Sequence, residues 1–135
     1  MKNLYLAVLL IATLFSGFAT AEVAVIVHPS NADTISQNDV SDIFLGKTKS
    51  FPGGSSVVPI VLNDATVDEF NTKLLGKSSS QLQSYWSKLV FTGKANPPKS
   101  VSSAEMIELI KSNPNMIGFV DSANLTADLK VVGKY

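Results

Sequence analysis

An α/β fold, a mainly parallel sheet flanked by helices, is what this chain predicts, and three observations carry it. The runs VAVIVH at 23–28 and VVPIVL at 57–62 are apolar or β-branched almost throughout, as in strands covered on both faces. Stretches with apolar residues at three- and four-residue spacing follow them, opened by Ser or Thr and closed by Gly-Lys or Asn-Pro, the start and stop signals of helices. The resulting order is β-α-β-α-α-α-β-β, and strands joined through helices cross over right-handed and run parallel.

The first residues stand apart from this pattern. Lys2, the apolar run LYLAVLLIATLF and the small residues Ala19-Thr20-Ala21 form the charged start, apolar stretch and cleavage site of a signal peptide. Residues 1–21 are therefore expected to be a leader, with export to the periplasm, Glu22 as the mature N-terminus and 22–135 as a single domain. A retained anchor is the alternative; the run falls short of the ~20 apolar residues of a membrane span.

Each element of the mature chain has its own local reason. The strand VAVIVH ends at Pro29-Ser30-Asn31. Ser36, with Asp39 and Asp42 early in QNDVSDIFL, starts a helix that Gly46 stops. SFPGGSS is loop. Pro59 has no N–H for a ladder, which places that point of VVPIVL at an edge or irregularity. Thr66 and Glu69 have capping-box spacing for VDEFNTKLL, with Gly76 beyond its end. Leu82, Tyr85, Trp86 and Leu89 form a helical stripe, expected to be core, closed by Gly93. KANPPK is loop, and Ser102 with Glu105 offers another capping box for a helix carrying Met106, Leu109 and Ile110. MIGFV (116–120) and LKVV (129–132) read as short strands.

Composition narrows the function. There is no cysteine, so the core must hold the fold without disulfides. Every basic residue is lysine and the formal net charge is +0. That argues against nucleic acid, whose phosphates need a concentrated basic face, and removes the bidentate arginine clamp for anions. His28 is the single imidazole, at the end of a buried strand, where a packed structural role is the expectation. One imidazole with scattered carboxylates has neither a nucleophile–base arrangement nor metal-ligand spacing. Neither an enzyme, a cofactor nor a metal site is expected.

Gly46-Lys47-Thr48 looks like the end of a phosphate-cradling P-loop, but Ser41 stands where that motif needs its first glycine. The Gly-Lys pair also follows a helix and does not open one. It reads as a helix stop, as do Gly76-Lys77 and Gly93-Lys94. The candidate binding site is Asn63, Asp64, Ala65 and Thr66, the turn after the second strand, because α/β sheets bind ligands beyond the carboxyl ends of strands. If Thr66 and Glu69 form their capping box, the same residues need no ligand at all.

VAVIVHPSN, ISQNDVSDIFLGKTKSF, VVPIVLNDATVDEFNTKLLG and NPNMIGFVD together resemble the middle of the phosphate-binding proteins of ABC transporters, in the type II periplasmic-binding superfamily. IFLGK is the most specific landmark, with Phe51 where the family usually has Trp. The resemblance implies a single periplasmic-binding-protein-like lobe and a small ligand, anionic in the family. The family's second-lobe motif is Ser-Gly-Thr after an upstream Arg; Asp64-Ala65-Thr66 align with it, and only Thr66 carries over as a ligand. Asp64 would accept a hydrogen bond from a protonated phosphate oxygen and repel the charged ones.

Two functions follow from this resemblance. One is a solute-binding module taking a small ligand at Asn63–Thr66. The other is an interaction module without a ligand that docks on a membrane sensor or transporter component. A chain of one lobe's length is also compatible with a homodimer that forms a cleft between two copies.

Overall fold

The computed structural model describes residues 22–135; the expected leader, residues 1–21, lies outside the described residues. The strands are β1 (Val23–Val27), β2 (Val58–Leu62), β3 (Lys99–Val101), β4 (Met116–Asp121) and β5 (Lys130–Lys134), paired in the order β3-β2-β4-β1-β5. The helices are α1 (Gln37–Phe44), α2 (Thr66–Phe70), α3 (Ser79–Phe91) and α4 (Ser103–Ser112). α2 continues into a wider π turn, Asn71–Leu75. Among the described residues no helix is long and apolar enough to cross a membrane.

The sheet is flanked by helices as expected, but it is mixed, not mainly parallel. β2 runs parallel to β3 and to β4, whereas β1 runs antiparallel to β4 and to β5. The crossover rule fixes the hand of a connection between parallel strands of one sheet and does not itself make two helix-linked strands parallel. Here β1 pairs with β4 and β5, not with β2, and takes the opposite direction to β2. A strand buried along its whole length, as Val23–Val27 is, has the same apolar composition in either orientation.

Two differences from the sequence reading are short. KANPPK is loop only as far as Pro98, because Lys99–Val101 forms the edge strand β3 beside β2. Pro59 lies within β2, yet the irregularity expected there exists. Val58 N–H donates to Asn115 O at 2.8 Å on the β4 side, so the next nitrogen faces the β3 side, where pairing begins only at Ile60.

β4 shows how the layers are filled. Successive side chains on a strand point to opposite faces. Phe119 meets Phe44 of α1 and Phe70 of α2, with ring centroids 6.0 and 3.9 Å away. A Cβ at Gly118 would instead meet Met106 of α4. The helices thus cover both faces of the sheet, and the core lies between them and β1, β2 and β4. On the α4 side, Lys111 holds Asp128 at 2.7 Å, and that hydrogen bond lowers the Asp128 carboxyl to about 2.

Local chemistry starts and stops the helices much as the sequence implies. Ser36 and Asp39 form a reciprocal capping box at α1, and Ser78 and Gln81 do the same at α3. At α4 only half of the box forms: Ser102 Oγ accepts from Glu105 N–H at 3.2 Å, while Glu105 turns toward Lys99. Gly46, Gly76 and Gly93 all take positive φ just past helix ends, where glycine adopts the left-handed conformation without a side-chain clash.

The stripe on α3 is less buried than expected. Leu82 alone is buried; Tyr85, Trp86 and Leu89 are half-buried. Tyr85 Oη donates to Leu45 O at 2.6 Å, and the Trp86 indole lies beside Gly46. Tyr85 and Trp86 thus meet the chain just past the end of α1, so helical periodicity marks a contact stripe but not its depth. Trp86→Ala is accordingly expected to destabilise by about 1–2 kcal/mol, below the ~3–5 kcal/mol of a fully buried aromatic. Urea denaturation checks it, and a loss above about 3 kcal/mol would place Trp86 in the core after all.

Candidate functional site

The turn Asn63–Thr66 stands at the C-terminal end of β2, as the sequence requires, but its residues do other work than expected. Asn63 N–H donates to Val101 O at 2.9 Å and ties the turn to β3. Thr66 does not cap α2, and the Thr66–Glu69 capping box is absent. Asp64 takes that role: its Oδ1 accepts from Thr66 N–H at 2.9 Å. Glu69 instead pairs with Lys73, one helical turn on, at 3.2 Å. A carboxylate accepts the N–H of the first turn better than a threonine hydroxyl, because the partial positive charge at a helix N-terminus favours an anion.

The second oxygen of Asp64 reaches across the fold. Ser103 Oγ, at the first position of α4, donates to Asp64 Oδ2 at 3.2 Å. One carboxylate therefore bridges the N-terminal ends of α2 and α4. The remaining N–H groups of the first turn are also engaged. Val67 N–H donates to Asp64 O at 3.1 Å and Asp68 N–H to Ala65 O at 3.2 Å. An incoming anion would meet a negative charge and donors already in use.

Beside this turn, Ala65 and Thr66 line a small cleft of about 140 Å³ with Glu22, Val23, Glu69 and Asp121. It sits where the C-terminal ends of β2 and β4 meet the start of β1. Three carboxylate residues line it; Glu69 among them pairs with Lys73, and Asp121 Oδ1 accepts from Ala123 N–H at 2.9 Å. Of these, the expected binding site contains only Ala65 and Thr66, with Glu69 expected there only as a capping partner. Glu22 adjoins the leader and Asp121 closes NPNMIGFVD, so nothing local marked either as a neighbour of Thr66. Ser103 was hidden behind Ser102, which carries the cap.

The other residues with catalytic potential do not assemble. His28 Nδ1 lies 2.7 Å from Ser30 Oγ and accepts from Ser30 N–H at 3.1 Å. This pairing spans two residues of one turn, and among the described residues no third side chain is hydrogen-bonded to the imidazole. Among the described residues no group of His, Asp and Glu could hold a metal ion. Gly46-Lys47-Thr48 follows α1 and opens no helix; Lys47 N–H donates to Asp42 O at 2.9 Å, so the loop closes on its own helix.

No family model and no curated protein matches the chain. Solved structures do. The fold is similar to a phosphate ABC transporter substrate-binding protein with bound phosphate from Clostridium perfringens, at TM-score 0.62 and 18% identity, over 83% of this chain and 45% of that one. It is similar to an ABC-type phosphate transport receptor from Vibrio cholerae, at TM-score 0.55 and 15% identity, over 83% and 46%. PstS from Borrelia burgdorferi matches at TM-score 0.58 and 15% identity, over 83% and 47%. The chain spans just under half the length of each, and what it shares with them is the α/β fold.

Proposed function

We propose that the chain is a non-catalytic module of the solute-binding type whose own Asp64 carboxylate occupies the place of a bound anion. It acts by docking on an envelope partner, a transporter component or a membrane sensor, and does not carry phosphate. The observation that carries this reading is the bridge from Asp64 to Thr66 N–H and Ser103 Oγ. A tight anion site must replace lost hydration with many directed donors. Here those donors serve the chain's own carboxylate, and arginine is absent.

Calorimetric titration of the protein with phosphate near neutral pH is expected to show weak binding or none. Saturable one-to-one binding at micromolar concentrations would overturn the reading. Asp64→Ser removes the repelling charge and frees Thr66 N–H, so it is expected to restore only part of an anion affinity.

The small cleft favours a second reading, in which Asn63, Asp64, Ala65 and Thr66 form the edge of a ligand site. Its carboxylate wall suits a small donor-rich ligand better than an anion. A ligand that binds only the folded state raises the melting midpoint at concentrations well above its dissociation constant. A panel of small amines, polyols and anions therefore separates the two readings, and a shift with any member favours the second. Export rests on the leader pattern: intact mass is expected to give Glu22 as the first residue, and a Met1 terminus would favour the anchor.

A further inference from the structure

Helix α3 carries a second, outward face that the fold leaves uncovered. Phe91 is 92% exposed and Val90 49% exposed, at the C-terminal end of the helix. With Trp86 and Pro97 they border an open depression of about 600 Å³. The end is stiff. Thr92 Oγ1 donates to Lys88 O at 2.9 Å, Lys94 N–H donates to Leu89 O at 2.9 Å, and Gly93 takes φ +69° to close the turn. Phe91 is therefore held out into solvent on a capped helix, not on a loose loop.

The segment that carries this face is basic. Between Glu69 and Glu105 the chain has lysines at 73, 77, 88, 94 and 99 and no acidic residue, although the chain as a whole has net charge +0; Lys73 and Lys99 pair with those two flanking glutamates, so the basic character near Phe91 rests on Lys88 and Lys94. Lys88 and Lys94 flank Phe91 in sequence, are exposed, and form none of the ion pairs among the described residues. An apolar tip with an aromatic ring beside flexible cations is the pattern of a surface that seats in a bilayer interface: the ring enters the headgroup–acyl boundary and the ammonium groups meet lipid phosphates.

We propose that the Trp86–Val90–Phe91 face of α3, with Lys88 and Lys94, anchors the protein reversibly to an anionic phospholipid membrane. This stands whether or not Asn63–Thr66 takes a ligand. A second copy placed face to face would set lysine against lysine. A protein partner is the weaker occupant, because the energetic anchors of protein interfaces are buried Trp, Tyr and Arg in closed pockets, and here the most exposed side chain is a projecting Phe beside an open depression.

Trp86 is the only tryptophan in the chain, so its fluorescence reports on this face and not on the N-terminal segment. Vesicles of equal parts phosphatidylethanolamine and phosphatidylglycerol at low salt are expected to shift its emission to the blue, and brominated acyl chains to quench it. Phosphatidylcholine vesicles should do neither, and salt of about 0.5 M should reverse the effect, since it shortens the reach of charge to a few ångströms. Lys88→Gln and Lys94→Gln should each weaken binding about fivefold, and Phe91→Ser about tenfold; all three residues are exposed, so the variants keep the fold. Absence of a shift with the anionic vesicles overturns the proposal, as does binding that the Phe91 and lysine variants leave unchanged. A blue shift that grows with protein concentration without lipid would assign the face to a second copy instead. Crosslinking from position 91 to an acidic envelope protein, with vesicles inert, would assign it to a protein partner.

Discussion

Phe70→Ala is expected to destabilise the protein by about 3–5 kcal/mol. Phe70 is fully buried and stacks on Phe119, with ring centroids 3.9 Å apart and planes within 1°. Phe44 closes the cluster edge-on at 4.7 Å from Phe70. The three rings come from α2, β4 and α1, so truncating one removes contacts between a strand and both helices that cover that face. Most of the loss is transfer and cavity energy, with a further ~0.5–1.5 kcal/mol for each ring pair broken. A domain of this size has a total stability of ~5–15 kcal/mol, so the variant gives up a large share of it. Urea denaturation should show a lower midpoint with an unchanged slope. A loss under about 1.5 kcal/mol would mean that α2 is not seated on the sheet as described. Because the rings touch, Phe70→Ala and Phe119→Ala combined should cost less than the sum of the two singly.

The second large effect is expected at Gly118, where the change adds atoms. A Cβ there would overlap Met106 Sδ and approach Met106 Cε at 3.1 Å and Ile60 Cγ1 at 3.4 Å. Met106 and Ile60 are buried, so α4 has no open side into which Met106 can swing. Gly118→Ala is expected to cost about 1–3 kcal/mol by overpacking, although alanine is otherwise the better strand residue. Met106→Val combined with Gly118→Ala should recover part of the loss, because the shorter side chain makes room. A fully neutral Gly118→Ala would show that α4 can slide over the sheet. A combined variant no better than Gly118→Ala would move the strain away from Met106.

These two positions show where sequence reading reaches its limit. Phe70 was legible: it lies on the apolar face of VDEFNTKLL. Gly118 was not marked at all, since a glycine inside MIGFV has no local reason to be there. Its reason is the close approach of α4, set by residues a dozen positions earlier in the chain. The same division holds at the site. The turn Asn63–Thr66 follows a buried strand, which alone makes it a candidate, and the charge of Asp64 is visible in the sequence. That Asp64 would cap α2 in place of Thr66, and bind Ser103 as well, depends on the helix α4 lying beside it.

The sequence by itself determined the helices, their glycine stops, the Ser36 cap and half of the Ser102–Glu105 box, and the double-sided burial of β1, because each is governed by chemistry within a few residues. Ser36 caps α1, and Gly46, Gly76 and Gly93 turn left-handed, whatever the rest of the fold does. The tertiary structure alone decided the direction of β1, which pairs Val23 with Asp121. It also decided the Asp64–Ser103 bridge, the depth at which α3 packs, and the outward face that carries Phe91. Those features depend on which distant surfaces bury one another, and an apolar run or a helical stripe reads the same whether it is covered by a strand in either direction, by another helix, or by nothing in the chain.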